Sequence, residues 1–122
     1  MNKLNMQKFR NDVARCIDFN GRKRDCVNLN THNSLLHELI KFRICFELQK
    51  RGIQYISEAK FTSQRGITDI LILDFAQALE IMVSETKEQL EYKVKKYPSE
   101  LEIIAVKDWE EYFSENYEVV KR

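Results

Sequence analysis

Proline, glycine and cysteine are all scarce in this sequence. One proline and three glycines argue against long flexible linkers, and three cysteines (Cys16, Cys26 and Cys45) are too few for a disulfide framework. No segment approaches the roughly 20 apolar residues that a membrane span needs. The polar residues 1–12 also lack the apolar stretch of a signal peptide. These absences predict an intracellular, cytoplasmic protein that contacts no membrane.

An excess of charge of one sign is also missing, because 20 Lys and Arg residues nearly balance 19 Asp and Glu residues. Overall charge therefore does not indicate a nucleic-acid partner, and any phosphate-binding surface must come from local basic clusters. What is present is an ordinary globular composition, with 43% hydrophobic and 32% charged residues. A length of 122 residues predicts a single domain, 1–122, with one core.

Hydrophobic periodicity predicts alternating helices and strands after an N-terminal extension, residues 1–32, that contains a helix over 4–16. The later elements are predicted as a helix over 34–51, strands over 53–61, 67–73 and 78–83, a helix over 84–98, a strand over 101–106 and a C-terminal helix within 107–122. Because a helix precedes the last strand, that strand is expected to run parallel to a neighbour. The fold class is therefore α/β, with an α-β-β-β-α-β core over 33–106 and a mixed central sheet flanked by helices.

Two of these helices have apolar residues at helical spacing. In the first, the stripe consists of Leu35, Leu39, Phe42 and Cys45 or Phe46. In the second, it consists of Leu90, Val94 and Tyr97, with Ser84 as the expected N-cap. We expect both stripes to face the core.

Three carboxylates interrupt apolar segments. Glu38 lies on or beside the stripe of the first helix, Asp69 interrupts ITDILIL on the face of Leu71 and Leu73, and Glu80 interrupts ALEIMV. A buried unpaired carboxylate costs several kcal/mol, so three in neighbouring elements favour a shared cation, for which Mg²⁺ is the natural candidate. Each acid alone has a structural alternative: Glu38 paired with Arg43 or a lysine of its own helix, and Asp69 hydrated at a strand end.

The element order and these acids resemble the PD-(D/E)XK, or restriction-endonuclease-like, nuclease superfamily. That family has an α-β-β-β-α-β core, an acid on the second strand, an acid-x-lysine segment on the third, and often a Glu on the preceding helix. Asp69, Glu80 and Glu38 match these three acidic positions, and the resemblance covers about two-thirds of the chain, over 33–106. The sequence is also similar to small archaeal and viral proteins of this type, which leaves a viral or plasmid origin open.

One position departs from the family pattern. Met82 stands where the family has its lysine, which helps to activate the attacking water and stabilises negative charge. Three lysines could take over this role: Lys60, Lys87 and Lys93. Ser84 could hold a water molecule, and Glu58 could add a further carboxylate. Alternatively, the chain has lost cleavage activity and is a nucleic-acid-binding or assembly protein on the same fold.

The resemblance implies hydrolysis of DNA phosphodiester bonds with Mg²⁺ or Mn²⁺. Asp69 and Glu80 would hold the metal together with the backbone carbonyl of Ile81, and Glu38 would act through a water on the metal. Basic residues beside the cleft would hold the nucleic-acid backbone: Arg22, Lys23, Arg24, Lys41, Arg65 and Lys93. Nucleases of this fold often pair, so a homodimer is a further expectation, with the C-terminal helix as one candidate face.

A zinc site is a weaker interpretation. Cys16, Cys26, His32 and His37 lack the close CxxC knuckle of structural zinc sites. His37 neighbours Glu38 but points about 100° away around a helix, so we expect a histidine at the surface or at an interface.

Overall fold

A five-stranded mixed sheet organises the protein, which a computed structural model describes over residues 2–18 and 23–122. The strands are β1 (Tyr55–Lys60), β2 (Ile67–Ile72), β3 (Gln77–Ile81), β4 (Glu102–Val106) and β5 (Glu118–Val119), in that order across the sheet. β1, β2 and β3 form an antiparallel meander, and β4 lies parallel to β3, as the intervening helix predicted. β5 is antiparallel to β4 and forms the other edge.

Helices cover both faces of this sheet. They are α1 (Lys3–Ala14), α2 (Leu35–Lys50), α3 (Lys87–Val94) and α4 (Trp109–Phe113). Apolar residues of α1 and α3 belong to one buried cluster and those of α2 and α4 to another. The predicted α/β class, with a mixed sheet between helices, is thereby confirmed. Within the described ranges, none of the helices has the length and apolar character needed to cross a lipid bilayer.

The predicted helices near the C-terminus are shorter than expected. α3 begins after Thr86 rather than Ser84, because Thr86 and Gln89 form a reciprocal capping box. The C-terminal helix predicted within 107–122 reduces to the five residues of α4. Its extension is interrupted by Glu115, whose left-handed φ of 61° turns the chain back so that β5 can pair with β4.

The orientation of α2 differs from the prediction. Four members of the predicted stripe are exposed by half or more: Leu35, Leu39, Phe42 and Phe46. Cys45, the predicted alternative to Phe46, is buried. It shares the buried face with Ile44 and Leu48 and with His37, Glu38 and Lys41. Apolar residues occur on more than one side of this helix, so the periodicity alone left its rotation ambiguous. The stripe of α3 is confirmed, because Leu90, Val94 and Tyr97 are all buried.

One residue of strand β1 has a left-handed backbone conformation, which changes the face of the sheet on which the following side chains lie. Glu58 has a φ of 50°, although it is not a glycine. Ile56 and Ala59 both pack in the cluster shared with α1 and α3, which a regular two-residue alternation would not allow. The side chain of Glu58 consequently turns towards α2, where Lys41 lies.

The outer edge of β1 is covered by the N-terminal part of the chain. The backbone N–H of Asp18 donates to the carbonyl of Lys60 at 2.7 Å, and that of Asp25 donates to the carbonyl of Tyr55 at 2.9 Å. Between them, Asn28 N–H donates to Ser57 Oγ at 2.7 Å. Much of this edge therefore has hydrogen-bond partners from within the molecule.

Candidate functional site

Asp69 of β2 and Glu80 of β3 lie side by side on neighbouring strands. Asp69 Oδ2 accepts a hydrogen bond from the backbone N–H of Ile81 at 2.8 Å, and Glu80 Oε2 lies 3.4 Å from the backbone nitrogen of Asp69. Their partners differ, because Asp69 contacts His37 of α2 whereas Glu80 contacts Lys93 of α3. The two acids are adjacent, but their carboxylates are drawn towards different helices.

The side chain of Asp69 does not follow the face predicted for it. Leu71 and Leu73 pack in the cluster with α1 and α3, as strand alternation requires. Asp69 instead directs Oδ2 to within 3.2 Å of Nε2 of His37, on α2. Asp69 lies opposite Glu58 of β1, whose backbone conformation is left-handed. It is also one residue beyond Ile70, where the pairing of β2 with β3 ends. The local departure from regular strand geometry is what places its carboxylate beside α2.

Glu80 is almost completely buried, and both of its oxygens have partners. Oε2 accepts a hydrogen bond from Thr68 Oγ1 at 2.6 Å. The Tyr97 hydroxyl lies 3.3 Å from the same oxygen, but its single proton has a closer acceptor in the carbonyl of Ile67 at 2.8 Å. Oε1 lies 2.7 Å from Nζ of Lys93. Burial and the nearby charge of Asp69 raise the pKa of Glu80 to about 7, although Lys93 and Thr68 oppose the shift.

Lys93 is the lysine that the structure brings to the acids. It lies near the C-terminal end of α3, and its side chain is about one-third exposed. Burial disfavours its charged form, but the negative charges of Glu80 and Asp69 outweigh burial and raise the pKa of Lys93. The ammonium is therefore fixed in its charged form beside the two carboxylates.

A second group of polar side chains surrounds Glu38 at the start of α2. Its Oε1 lies 2.6 Å from Nζ of Lys41, and its Oε2 lies 2.8 Å from Nδ1 of His37. Asn30 and Asn33 donate further hydrogen bonds to this carboxylate. Glu38 is thus paired with a lysine of its own helix, the structural alternative expected for it.

Lys41 joins Glu38 to the first strand. This side chain is fully buried, and its Nζ also lies 3.4 Å from Oε2 of Glu58. Glu58 accepts a further bond from Asn30 Nδ2 at 2.9 Å. The charge of a buried lysine between two carboxylates is compensated. Loss of one carboxylate would leave that charge without full compensation.

His37 connects the two groups, because Nδ1 faces Glu38 and Nε2 faces Asp69. Burial lowers the pKa of His37, but the hydrogen bonds and charges of Asp69 and Glu38 outweigh it and the net shift is upward. A ring with an acid at each nitrogen donates to both only when it is protonated. Burial alone would raise the pKa of Glu38. Lys41 and the other hydrogen-bond donors outweigh burial and lower this pKa to about 2.

A polar cavity of about 150 Å³ opens next to Asp69. Asp69, Ile81, Glu85 and Lys93 line one part of it, and residues around the start of α2, including His37, line another. In the described part of the chain, the buried Oε1 of Glu85 has no hydrogen-bond partner. The cavity therefore combines two carboxylates with one ammonium, and it has room for small polar ligands.

The other predicted catalytic residues lie at varying distances from this cavity. Ser84 lines it. Lys60 is exposed at the end of β1, and Lys87 is exposed with its Nζ 3.4 Å from Oε1 of Glu118. Of the three lysines that could replace the family lysine, only Lys93 forms an ion pair with Glu80 within the described ranges.

Of the predicted nucleic-acid-binding residues that the structure describes, Lys93 lines the cavity and the others do not. Lys23 is exposed, Arg24 donates to Gln54 and Asn11, and Arg65 donates to the carbonyl of Lys96. Lys41 was expected at the surface, but it lies entirely inside the protein because Glu38 and Glu58 hold its charge there. Arg22 lies outside the described residues.

Four polar residues of the site were not predicted: His37, Thr68, Glu85 and Tyr97. His37 was expected at the surface, and its burial follows from the rotation of α2. Thr68 could have been found, because it directly precedes Asp69 in an otherwise apolar strand. Glu85 follows the third strand after a short turn, and its direction depends on turn geometry that the sequence pattern does not reveal.

Comparisons with known proteins add no family assignment, since no protein-family model, curated protein or solved structure matches the chain.

Among residues 2–18 and 23–122, no three His, Cys, Asp or Glu side chains converge as a ready-made metal site. Mg²⁺ often takes only one or two carboxylates and completes its shell with water and substrate oxygens.

Proposed function

We propose that this protein is a metal-dependent nuclease of the PD-(D/E)XK type, in which Lys93 replaces the lysine missing at Met82. One observation carries the proposal: Nζ of Lys93 lies 2.7 Å from Glu80, next to Asp69, in a chain with α-β-β-β-α-β order. The sheet order, with β3 parallel to β4 and antiparallel to β2, supports the same assignment.

The cavity lining supports a modified set of metal ligands. Glu80 is engaged by Thr68 at one oxygen and by the Lys93 ammonium at the other, and it does not line the cavity, so it suits a supporting role behind it. Asp69 and Glu85 are better placed, because both line the cavity and Glu85 carries a buried oxygen without a partner. Two hard carboxylate donors fit Mg²⁺ or Mn²⁺. When bound, the metal would polarise a phosphate and lower the pKa of water.

The protein's own residues would orient and charge the site. Ile81 N–H and His37 both bond Oδ2 of Asp69, which fixes this carboxylate. Glu80 holds the Lys93 ammonium at the cavity wall, where its positive charge would stabilise the negative charge that develops on a phosphoryl group. The proposed substrate is DNA, held through its phosphates.

Cleavage assays with matched variants test this proposal. Purified protein would be incubated with plasmid, single-stranded and branched DNA in Mg²⁺ or Mn²⁺, with EDTA as the metal-free control. We expect metal-dependent cleavage that Asp69→Asn and Lys93→Met each reduce by about a hundredfold. Lys96→Met, which removes an exposed lysine near the end of the same helical segment, should leave cleavage unchanged.

The second candidate is a nucleic-acid-binding or assembly protein without cleavage activity. The engagement of both Glu80 oxygens, one by Thr68 and the other by the Lys93 ammonium, and the methionine at position 82 favour it. This candidate predicts salt-dependent DNA binding with no nicking in either metal. Absence of both cleavage and binding at low salt would eliminate the two candidates together.

A further inference from the structure

The outward side of α2 carries an apolar surface that nothing in the described molecule covers. Leu35, Leu39, Phe42 and Phe46, named here the α2 stripe, are 75%, 54%, 51% and 56% exposed. Their spacing of four, three and four residues is the spacing of a coiled-coil seam. The rings of Phe42 and Phe46 lie 6.2 Å apart, so they form a continuous patch.

We propose that the α2 stripe is a homodimer interface in which two copies of α2 pack antiparallel. The stripe spans about 16 Å along the helix axis, from Leu35 to Phe46. Antiparallel pairing sets Leu35 against Phe46 of the second copy and Leu39 against Phe42. Each contact then joins a leucine to a phenylalanine, and the dipoles of the two helices oppose each other, which favours this orientation over the parallel one.

The area of the patch is close to what such a pair requires. The four residues of the stripe present on the order of 450 Å² of surface. Two copies placed face to face would bury about 900 Å² in total, close to the roughly 1,000 Å² expected of a specific interface. A single exposed patch of this size is at the upper end for a monomer.

Charge also favours a second copy over a charged partner. The one charged side chain among the exposed residues of 35–46 is Arg43. Its guanidinium lies 4.3 Å from the centre of the Trp109 ring, so it is already engaged within the protein. The surface therefore offers apolar complementarity without charged side chains that would select an acidic or basic ligand.

Sedimentation equilibrium of the full chain tests the dimer. We expect the unmodified protein to dimerise, and Leu39→Glu and Phe42→Glu each to weaken association by at least about tenfold. Leu4→Glu is the matched control, because Leu4 is 76% exposed on α1, away from the stripe. Circular dichroism should show that all three variants fold. A protein that stays monomeric at its highest soluble concentration would overturn the proposal.

Disulfide cross-linking tests the antiparallel orientation. In a Cys26→Ser background, which removes the exposed cysteine, Leu35→Cys and Phe46→Cys chains would be mixed and oxidised. Antiparallel packing brings these two positions together, so the mixture should cross-link and each variant alone should not. Efficient cross-linking of Leu35→Cys to itself, or equal cross-linking in all samples, would overturn this arrangement.

Discussion

Lys93 and Glu80 form an ion pair that joins α3 to the third strand of the sheet, with 2.7 Å between Nζ and Oε1. Glu80 is 1% exposed, so its charge depends on this partner. Removing one member of a fully buried pair costs about 3 to 5 kcal/mol, and the one-third exposure of Lys93 reduces the expected cost here. The stability of the protein should therefore report on this pair directly.

Lys93→Met should lower the free energy of unfolding by up to about 2 kcal/mol at a pH near 8, where Glu80 is largely ionised in the unmodified protein and Lys93 opposes the rise of its pKa. At about pH 5.5 the loss should be smaller, because Glu80, with its pKa raised to about 7, becomes protonated and no longer needs the ammonium. Urea unfolding at the two pH values measures the difference. The double variant Lys93→Met with Glu80→Gln should recover most of the loss at high pH. An equal loss at both pH values would contradict the assignment.

Glu38 should contribute stability that is lost in acid. Its pKa is lowered from 4.5 to about 2, so its contribution is complete above about pH 4.5 and disappears as pH falls towards 2. Glu38→Gln should cost about 3 kcal/mol near neutral pH and almost nothing near pH 2. Glu47→Gln on the same helix removes a more exposed pair with Arg51 and should cost less than about 1 kcal/mol. A difference between Glu38→Gln and the unmodified protein that does not change with pH would refute this role.

His37 should titrate above the ordinary range of a histidine. Asp69 and Glu38 raise its pKa above 6.5 despite burial, so its stabilising effect is complete below pH 6.5 and is lost as pH rises through the folded pKa. NMR titration of the ring protons measures this value directly. Asp69→Asn should lower it, whereas Asp12→Asn, which changes an exposed acid on α1, should leave it unchanged.

Gly66 should be intolerant of a side chain. Its φ is +111°, and a Cβ placed there would lie 2.8 Å from Cε1 of Tyr97. Gly66→Ala should therefore cost more than about 2 kcal/mol and disturb the hydrogen bond from the Tyr97 hydroxyl to the carbonyl of Ile67. Gly52→Ala is the matched control, because Gly52 has a φ of +71° but open space around it. Thermal unfolding of the two variants should show the larger loss for Gly66→Ala.

The order of the elements and the adjacency of two acids could be predicted from sequence, because both depend on local periodicity. Asp69 and Glu80 interrupt apolar strands that a short turn makes neighbours, so their proximity follows from the hairpin. The parallel β4 follows from the helix that precedes it.

The details of the site could not be predicted, because they depend on how elements rotate and distort. α2 has apolar residues on more than one side, and its burial of His37 and Lys41 is decided by pairing with strand carboxylates. The left-handed backbone of Glu58 has no sequence signal, since the residue is neither glycine nor asparagine.

The left-handed backbone conformation of Glu58 also limits aggregation of the protein through the outer edge of β1. A regular outer strand offers an open ladder to which a strand of another molecule can add. At Glu58 the ladder of β1 is interrupted, and on either side of it the backbone N–H groups of Asp18 and Asp25 already donate to the carbonyls of Lys60 and Tyr55. Addition of a strand from another molecule is thereby disfavoured at this edge of the sheet.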